Sequence, residues 1–181
     1  MGRKRLIFFS VLALIAACAA CLLFVYVYGN QPFSSFLHMF TGKSVISLYF
    51  ADNDNAFLKS EQRSISRPAD PAEFGRVIIE SLIEGPGDEL VRTIPGEASL
   101  KAFYITKDGS AYADFTAAIR DRHPGGSSSE LLTVYSIVNS LIMNIPEIKR
   151  VKILIEGRES MTLAGHIDLR FPLKINTALV K

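Results

Sequence analysis

Few residues in this chain have types and spacings that could do chemistry. His166 and Asp168 stand two apart in a run that reads as extended, which puts both on one face of a strand. One imidazole and one carboxylate would supply two metal ligands, but a third is not apparent in the sequence. A hydrogen-bonded surface pair is the reading taken. His38 lies before the first strand and His123 in a Gly/Ser loop. The run DNDNAFLKSEQR, residues 52–63, opens like a calcium loop with Asp52 and Asp54 at positions one and three. Position six is Phe57 where glycine is needed, and position twelve is Arg63 where a bidentate glutamate is needed. A turn after a strand is expected there. Asp114 and Glu156 would resemble a glycosidase pair if their strands were adjacent, although isolated acids at strand ends are usually solvated.

The remaining candidates are weaker. Ser127, Ser128 and Ser129 lack a G-x-S-x-G elbow and suit helix capping, with Ser127 and Glu130 spaced as a capping box. Cys18 and Cys21 are spaced C-x-x-C inside an apolar run, without the polar company a redox or zinc site needs. There is no H-E-x-x-H and no phosphate-binding loop motif. Gly85-Pro86-Gly87 follows a helix, whereas phosphate loops precede one, so the glycines read as punctuation. The charged loop Arg120, Asp121, Arg122 and His123 could touch a partner; a solvated loop is the plainer reading. The sequence therefore assigns no catalytic, cofactor-binding or metal-binding residue.

The elements that must position these residues are legible. Residues 44–51, SVISLYFA, form a β-branched and aromatic strand, and 57–66 a second extended piece. Asp70 caps a helix with Pro71 at its first position, and Phe74, Val77, Ile78, Ser81 and Leu82 lie on one face. Residues 99–106 and 110–116 alternate around Lys107-Asp108-Gly109, a hairpin. Residues 120–129 read as a loop. A second helix runs from Ser127 to Pro146. Residues 151–157 form a buried strand, 159–173 a closing extended segment, and 174–181 are expected to fray. The order predicts an α/β (α+β) domain: one mixed β-sheet with two helices packed on a face.

Ahead of this domain, residues 6–28 carry no charge and are long enough to cross a bilayer as a helix. Arg3, Lys4 and Arg5 precede the run and the next basic residue is Lys43, which places the N-terminus in the cytoplasm. An uncleaved anchor is the reading taken. A signal peptide would have a shorter apolar core. A lipoprotein acylated at Cys18 would turn polar soon after it, and this chain stays apolar to Tyr28. In residues 29–44, Phe33, Phe36, Leu37 and Phe40 share a helical face that could lie on the membrane or pack on the domain. The division is 1–28 tip and anchor, 29–44 linker, 45–173 domain and 174–181 tail. Beyond the three N-terminal cations the chain holds 17 basic against 18 acidic residues, so nucleic-acid binding has little electrostatic support. With its cysteines confined to the apolar run, the domain must be held by its core and not by disulfides.

The run SLYFADNDNAFLKSEQRSI, then LIEGP, TIPGEASL, DGSAYADFT, VKILIEG and GHIDL, in this order and spacing, resembles the GerMN domain across residues 45–173. The resemblance implies an α/β fold similar to the ring-building motifs of envelope-spanning assemblies. It also implies a membrane-attached, non-enzymatic role in cell-envelope complexes, without a cofactor. The expected partners are envelope proteins, with self-association an option. A peptidoglycan-binding or peptidoglycan-modifying protein is the alternative.

Overall fold

The computed structural model describes residues 43–181 apart from Asp88. The expected span, the linker aromatics, His38, Cys18 and Cys21 lie outside the described residues. Among the described residues no helix is long and apolar enough to cross a membrane.

The β-branched and aromatic run forms β1 (Lys43–Ala51), which pairs antiparallel with β2 (Leu58–Ser66) in a register running from Lys43↔Ser66 to Ala51↔Leu58. Helix α1 (Pro71–Glu84) starts as its sequence dictates: the Asp70 carboxylate accepts the Glu73 N–H at 3.1 Å. Strands β3 (Leu100–Ile105) and β4 (Ser110–Phe115) form the expected hairpin, with Gly109 in the left-handed region at φ 82°. A short helix, α2 (Ala118–Asp121), occupies part of the stretch read as a loop. Helix α3 (Ser127–Asn144) then crosses to β5 (Arg150–Ile155), which runs parallel to β4, and β6 (Arg158–Glu159) turns back on β5.

The architecture is mixed α+β with two sheets, where the sequence suggested one. The larger sheet has the order β3-β4-β5-β6, and β1-β2 stands apart. The far edge of β1 explains the division, because α3 and the 91–93 segment already occupy it. Asn144 Oδ1 accepts the Ser47 N–H at 3.0 Å and Asn144 Nδ2 donates to Ser47 O at 2.8 Å. Ser140 Oγ accepts the Tyr49 N–H at 3.0 Å, and Ser136 Oγ donates to Tyr49 O. Ala51 exchanges both backbone bonds with Val91. With the outward groups of Ser47, Tyr49 and Ala51 satisfied in this way, this stretch of β1 has no need of a strand.

One continuous apolar cluster joins both sheets to both long helices, and Phe50, Phe74 and Phe115 are among its largest fully buried members. Each such side chain contributes roughly 1.5–3 kcal/mol. Helix α1 packs on β1 and β3, and α3 on β1 and β5. Close approach has one strict requirement: a Cβ on Gly75 would lie 2.2 Å from Phe103 Cε1, so α1 can reach β3 only where it has no side chain. The closing segment is mostly irregular, joined by single bridges Val151↔Leu173 and Thr162↔Asp168. The tail, expected to fray, is docked. Asn139 exchanges two hydrogen bonds with the Asn176 backbone, and the Lys181 N–H donates to Leu58 O at 3.0 Å. Lys181 Nζ also sits 3.6 Å above the Phe57 ring.

Candidate functional site

Helix α3 carries a polar row through an apolar body. Glu130, Thr133, Ser136 and Ser140 recur at three- and four-residue steps, which stacks them on one face, and all four are buried. Glu130 is the ionisable member and is fully buried. Its Oε2 accepts the backbone N–H groups of Ala164 at 3.0 Å, His166 at 3.1 Å and Ile167 at 3.2 Å. Its Oε1 meets His166 Nδ1 at 2.6 Å. Burial alone would raise its pKa, but the imidazole and the three amides outweigh burial and hold the carboxyl at about 2. It is an anion at any physiological pH.

That arrangement overturns two expectations. Glu130 does not close a capping box: the N-cap is Gly126, and no side chain caps the helix. A capping box offers the carboxylate one amide, whereas the 164–167 loop offers three and an imidazole. His166 and Asp168 are not paired with each other. His166 turns to Glu130, and Asp168 forms its ion pair with Arg170 at 2.8 Å. One turn along α3, the Thr133 hydroxyl meets His123 Nε2 at 2.9 Å and donates to Thr93 O. His123 Nδ1 accepts the Gly125 N–H, which leaves its proton on Nε2. Burial lowers the His123 pKa, against a weaker upward pull from Glu130. The row thus ties both histidine-bearing loops to one helix.

The other sequence candidates are committed in the same manner. Asp52 Oδ1 accepts the Ala56 and Phe57 N–H groups, the turn the sequence suggested. Asp54 is exposed. Arg63, on β2, extends its guanidinium to the end of α1: Nη1 donates to Ser81 O at 3.0 Å and Nη2 to Gly85 O. Asp114 and Glu156 are brought to neighbouring positions. Asp114 accepts the Gly157 N–H, while Glu156 takes Lys101 Nζ and the Ala117 N–H. The Lys101 bond first, and then the Ala117 amide, lowers the Glu156 pKa, whereas a general acid needs it raised. Of the charged loop, Arg120 pairs with Asp121. Ser128 donates to Asn55 O. No group of three metal-ligating side chains occurs among the described residues.

The glycine loop is punctuation, but of a braced kind. Gly85 terminates α1 at φ 93°, and the Arg92 guanidinium lies over it where a Cβ would come within 2.6 Å. Arg92 donates to Ile83 O and Glu84 O, so with Arg63 it satisfies the carbonyls that a helix C-terminus leaves orphaned. Glu61 holds Arg63 with Oε1 and the Gly87 N–H with Oε2. Two open depressions on the surface flank this region and the hairpin, one beside Glu80, Arg92 and Leu100, the other beside Asp70, Ile105 and Lys149. Neither is lined by Glu130, His123, His166, Asp114 or Glu156. Sequence reasoning missed Glu130 as a loop anchor and Arg92 as a clamp. The signal for the first was the polar residues at helical spacing inside an apolar helix.

The geometry so described is similar to that of known proteins. The model of the Germane family, described as sporulation and spore germination, matches residues 47–160. A candidate lipoprotein from Clostridium perfringens is 26% identical, with a TM-score of 0.53, over 76% of this chain and 96% of that one. The first GerMN domain of the Bacillus subtilis sporulation protein GerM is 18% identical with a TM-score of 0.55, over 75% of this chain and 98% of that one. The tandem GerMN domains of the same protein give 19% and 0.58, with 47% of that chain covered, as a single copy against two would give. No curated protein matches the chain.

Proposed function

We propose a function from one premise: this chain belongs to the Germane family of sporulation and spore germination modules, the GerMN domains. The reading is a membrane-attached interaction module of the bacterial cell envelope. Residues 6–28 are its single span, the domain lies outside the cytoplasm, and it holds other envelope proteins or copies of itself without turning over a substrate. The apolar N-terminal run supports the attachment, and the lipoprotein assignment of the Clostridium perfringens relative agrees with an envelope location.

The observation that carries the non-enzymatic part is the use made of the polar side chains. Glu130, with three backbone amides and an imidazole on its oxygens, is fully buried and so offers nothing to a substrate at the surface. Asp114 and Glu156 are likewise engaged by amides and Lys101. These groups hold loops, and the rigid surface they produce is suited to contact.

Crosslinking of the full chain in native membranes, followed by mass spectrometry, tests this. Envelope proteins or multimers of the chain attached to it are the expected products, together with retention in the membrane fraction at high salt. Turnover of peptidoglycan by the full chain, abolished by Asp114→Asn or Glu156→Gln, would replace the reading with a wall-modifying enzyme. Loss of residues 1–17 with an acylated Cys18 would replace the span with a lipid.

A further inference from the structure

The two edges of the β1-β2 ladder are treated differently. From Ser47 to Ala51 the outer edge of β1 is filled by α3 and Val91, as described. On β2 the corresponding outward residues are Leu58, Ser60, Gln62 and Ser64, because they face Ala51, Tyr49, Ser47 and Val45 across the non-hydrogen-bonded pairs. Leu58 O is taken by the Lys181 N–H. Among the described residues no hydrogen bond reaches the outward backbone of Ser60, Gln62 or Ser64, and all three residues are exposed. The edge has no bulge and no proline, and its charged residues Lys59, Glu61 and Arg63 stand on the face opposite Ser60, Gln62 and Ser64.

Its sequence is self-complementary. Read against an antiparallel copy centred on Gln62, the run Ser60-Glu61-Gln62-Arg63-Ser64 sets serine opposite serine, glutamine opposite glutamine, and each Glu61 opposite an Arg63. Glu61 and Arg63 already pair within each strand, so what the register secures is that no like charges face each other between the copies. The same register places the free N–H and C=O of Ser60, Gln62 and Ser64 in hydrogen-bonded positions, about six bonds between the chains. A two-fold contact requires a surface of this self-matching kind.

We propose that β2 pairs with β2 of a second copy of this chain, antiparallel and in the Gln62↔Gln62 register, to give a continuous β1-β2-β2-β1 sheet. This rests on the interaction-module reading and names one surface for it. Five residues a side form a small interface, so the pairing is weak in dilute solution and gains from the high local concentration of chains held in one membrane.

Disulfide trapping of the full chain in membranes tests the register, with the unaltered chain reporting the background from Cys18 and Cys21. Gln62→Cys puts two Cα atoms about 5.5 Å apart across the axis, within disulfide range, and an oxidant should give covalent dimer well above background. Ser64→Cys alone should not, since its copies lie roughly 13 Å apart. Ser60→Cys and Ser64→Cys co-expressed should form the mixed dimer. Gln62→Glu, which sets like charges face to face and adds no amine, should lower dimer recovered with a general amine-reactive crosslinker at least severalfold while leaving the melting temperature unchanged. Efficient trapping by Ser64→Cys alone would overturn the register. Multimers captured by the general crosslinker but no Gln62→Cys disulfide would overturn the proposal and leave self-association through another surface. Absence of any self-association would overturn it too, leaving the interaction reading to depend on other envelope proteins.

Discussion

Replacing Glu130 with glutamine isolates what a buried anion contributes to this domain. The change keeps the shape and removes the charge. It also sets an amide N–H₂ where either the imidazole or a backbone donor must be accepted. The folded carboxyl sits at about 2, against 4.5 for an ordinary glutamate. That difference corresponds to roughly 3–4 kcal/mol at most by linkage, and solvent near the half-exposed His166 reduces it to about 2 kcal/mol. The sign follows from the direction: the folded state binds this proton less readily, so its stabilisation is complete above the unfolded value and is lost as pH falls from about 5 towards 2. Asp108, bonded first by Thr106, and Asp168, bonded first by Arg170, also sit at about 2, but both are common to the two proteins and cancel. The assay is urea unfolding of the full chain in detergent at several pH values. The chain has no tryptophan, so near-ultraviolet tyrosine dichroism reports the fold. At neutral pH Glu130→Gln should be less stable by about 2 kcal/mol, and the gap should close across pH 5 to 2. Two stability curves running parallel through that range would refute the idea that the anion holds the 164–167 loop.

Three further perturbations have equally definite outcomes. Gly75→Ala gains about 1 kcal/mol of helix propensity but drives a methyl to 2.2 Å from the Phe103 ring. The net effect should be a loss of about 1–3 kcal/mol in thermal unfolding, partly restored by adding Phe103→Leu. Arg92→Ala uncovers the Ile83 and Glu84 carbonyls and should cost about 1–2 kcal/mol, with faster amide exchange confined to the last turn of α1. Ser136→Ala removes the donor to Tyr49 O from a fully buried position. It should cost about 1–3 kcal/mol and speed exchange along β1, whereas Ser64→Ala on the exposed edge should leave stability unchanged.

The elements were legible because their signals are local. Asp70-Pro71 starts α1, Gly85 stops it, and Asp108-Gly109 turns the hairpin, each by chemistry contained within a few residues. What the sequence concealed depends on partners far along the chain. Ser127 and Glu130 satisfy the capping-box pattern, yet the carboxylate finds a loop more than thirty residues away that offers it more donors. His166 and Asp168 alternate as strand neighbours would, but the segment bends around Glu130 and separates them. Arg63 and Arg92 have no local signature at all, since a helix C-terminus can recruit a guanidinium from any distance. The tail reads as a free terminus because its ties, to Asn139, Leu58 and Phe57, all lie far back along the chain.

The division into two sheets follows from the same helix. A lone two-stranded ladder is marginal in water, and β1 is buried against the core with its outward groups out of reach of solvent. Leaving the Ser47 and Tyr49 groups unsatisfied would cost about 1–3 kcal/mol each, which together rivals the whole stability of a small domain. Asn144, Ser140 and Ser136 remove that cost by standing where a neighbouring strand would. Their spacing matches because two residues along β1 advance about 6.6 Å while four along α3 advance about 6 Å, so a helix laid beside the strand meets alternate residues with every fourth side chain. A helix can do this on one edge only. The asymmetry between a sealed β1 and an open, self-matching β2 is therefore a consequence of how the polar row of α3 is written, and it directs any added strand to the side of Gln62.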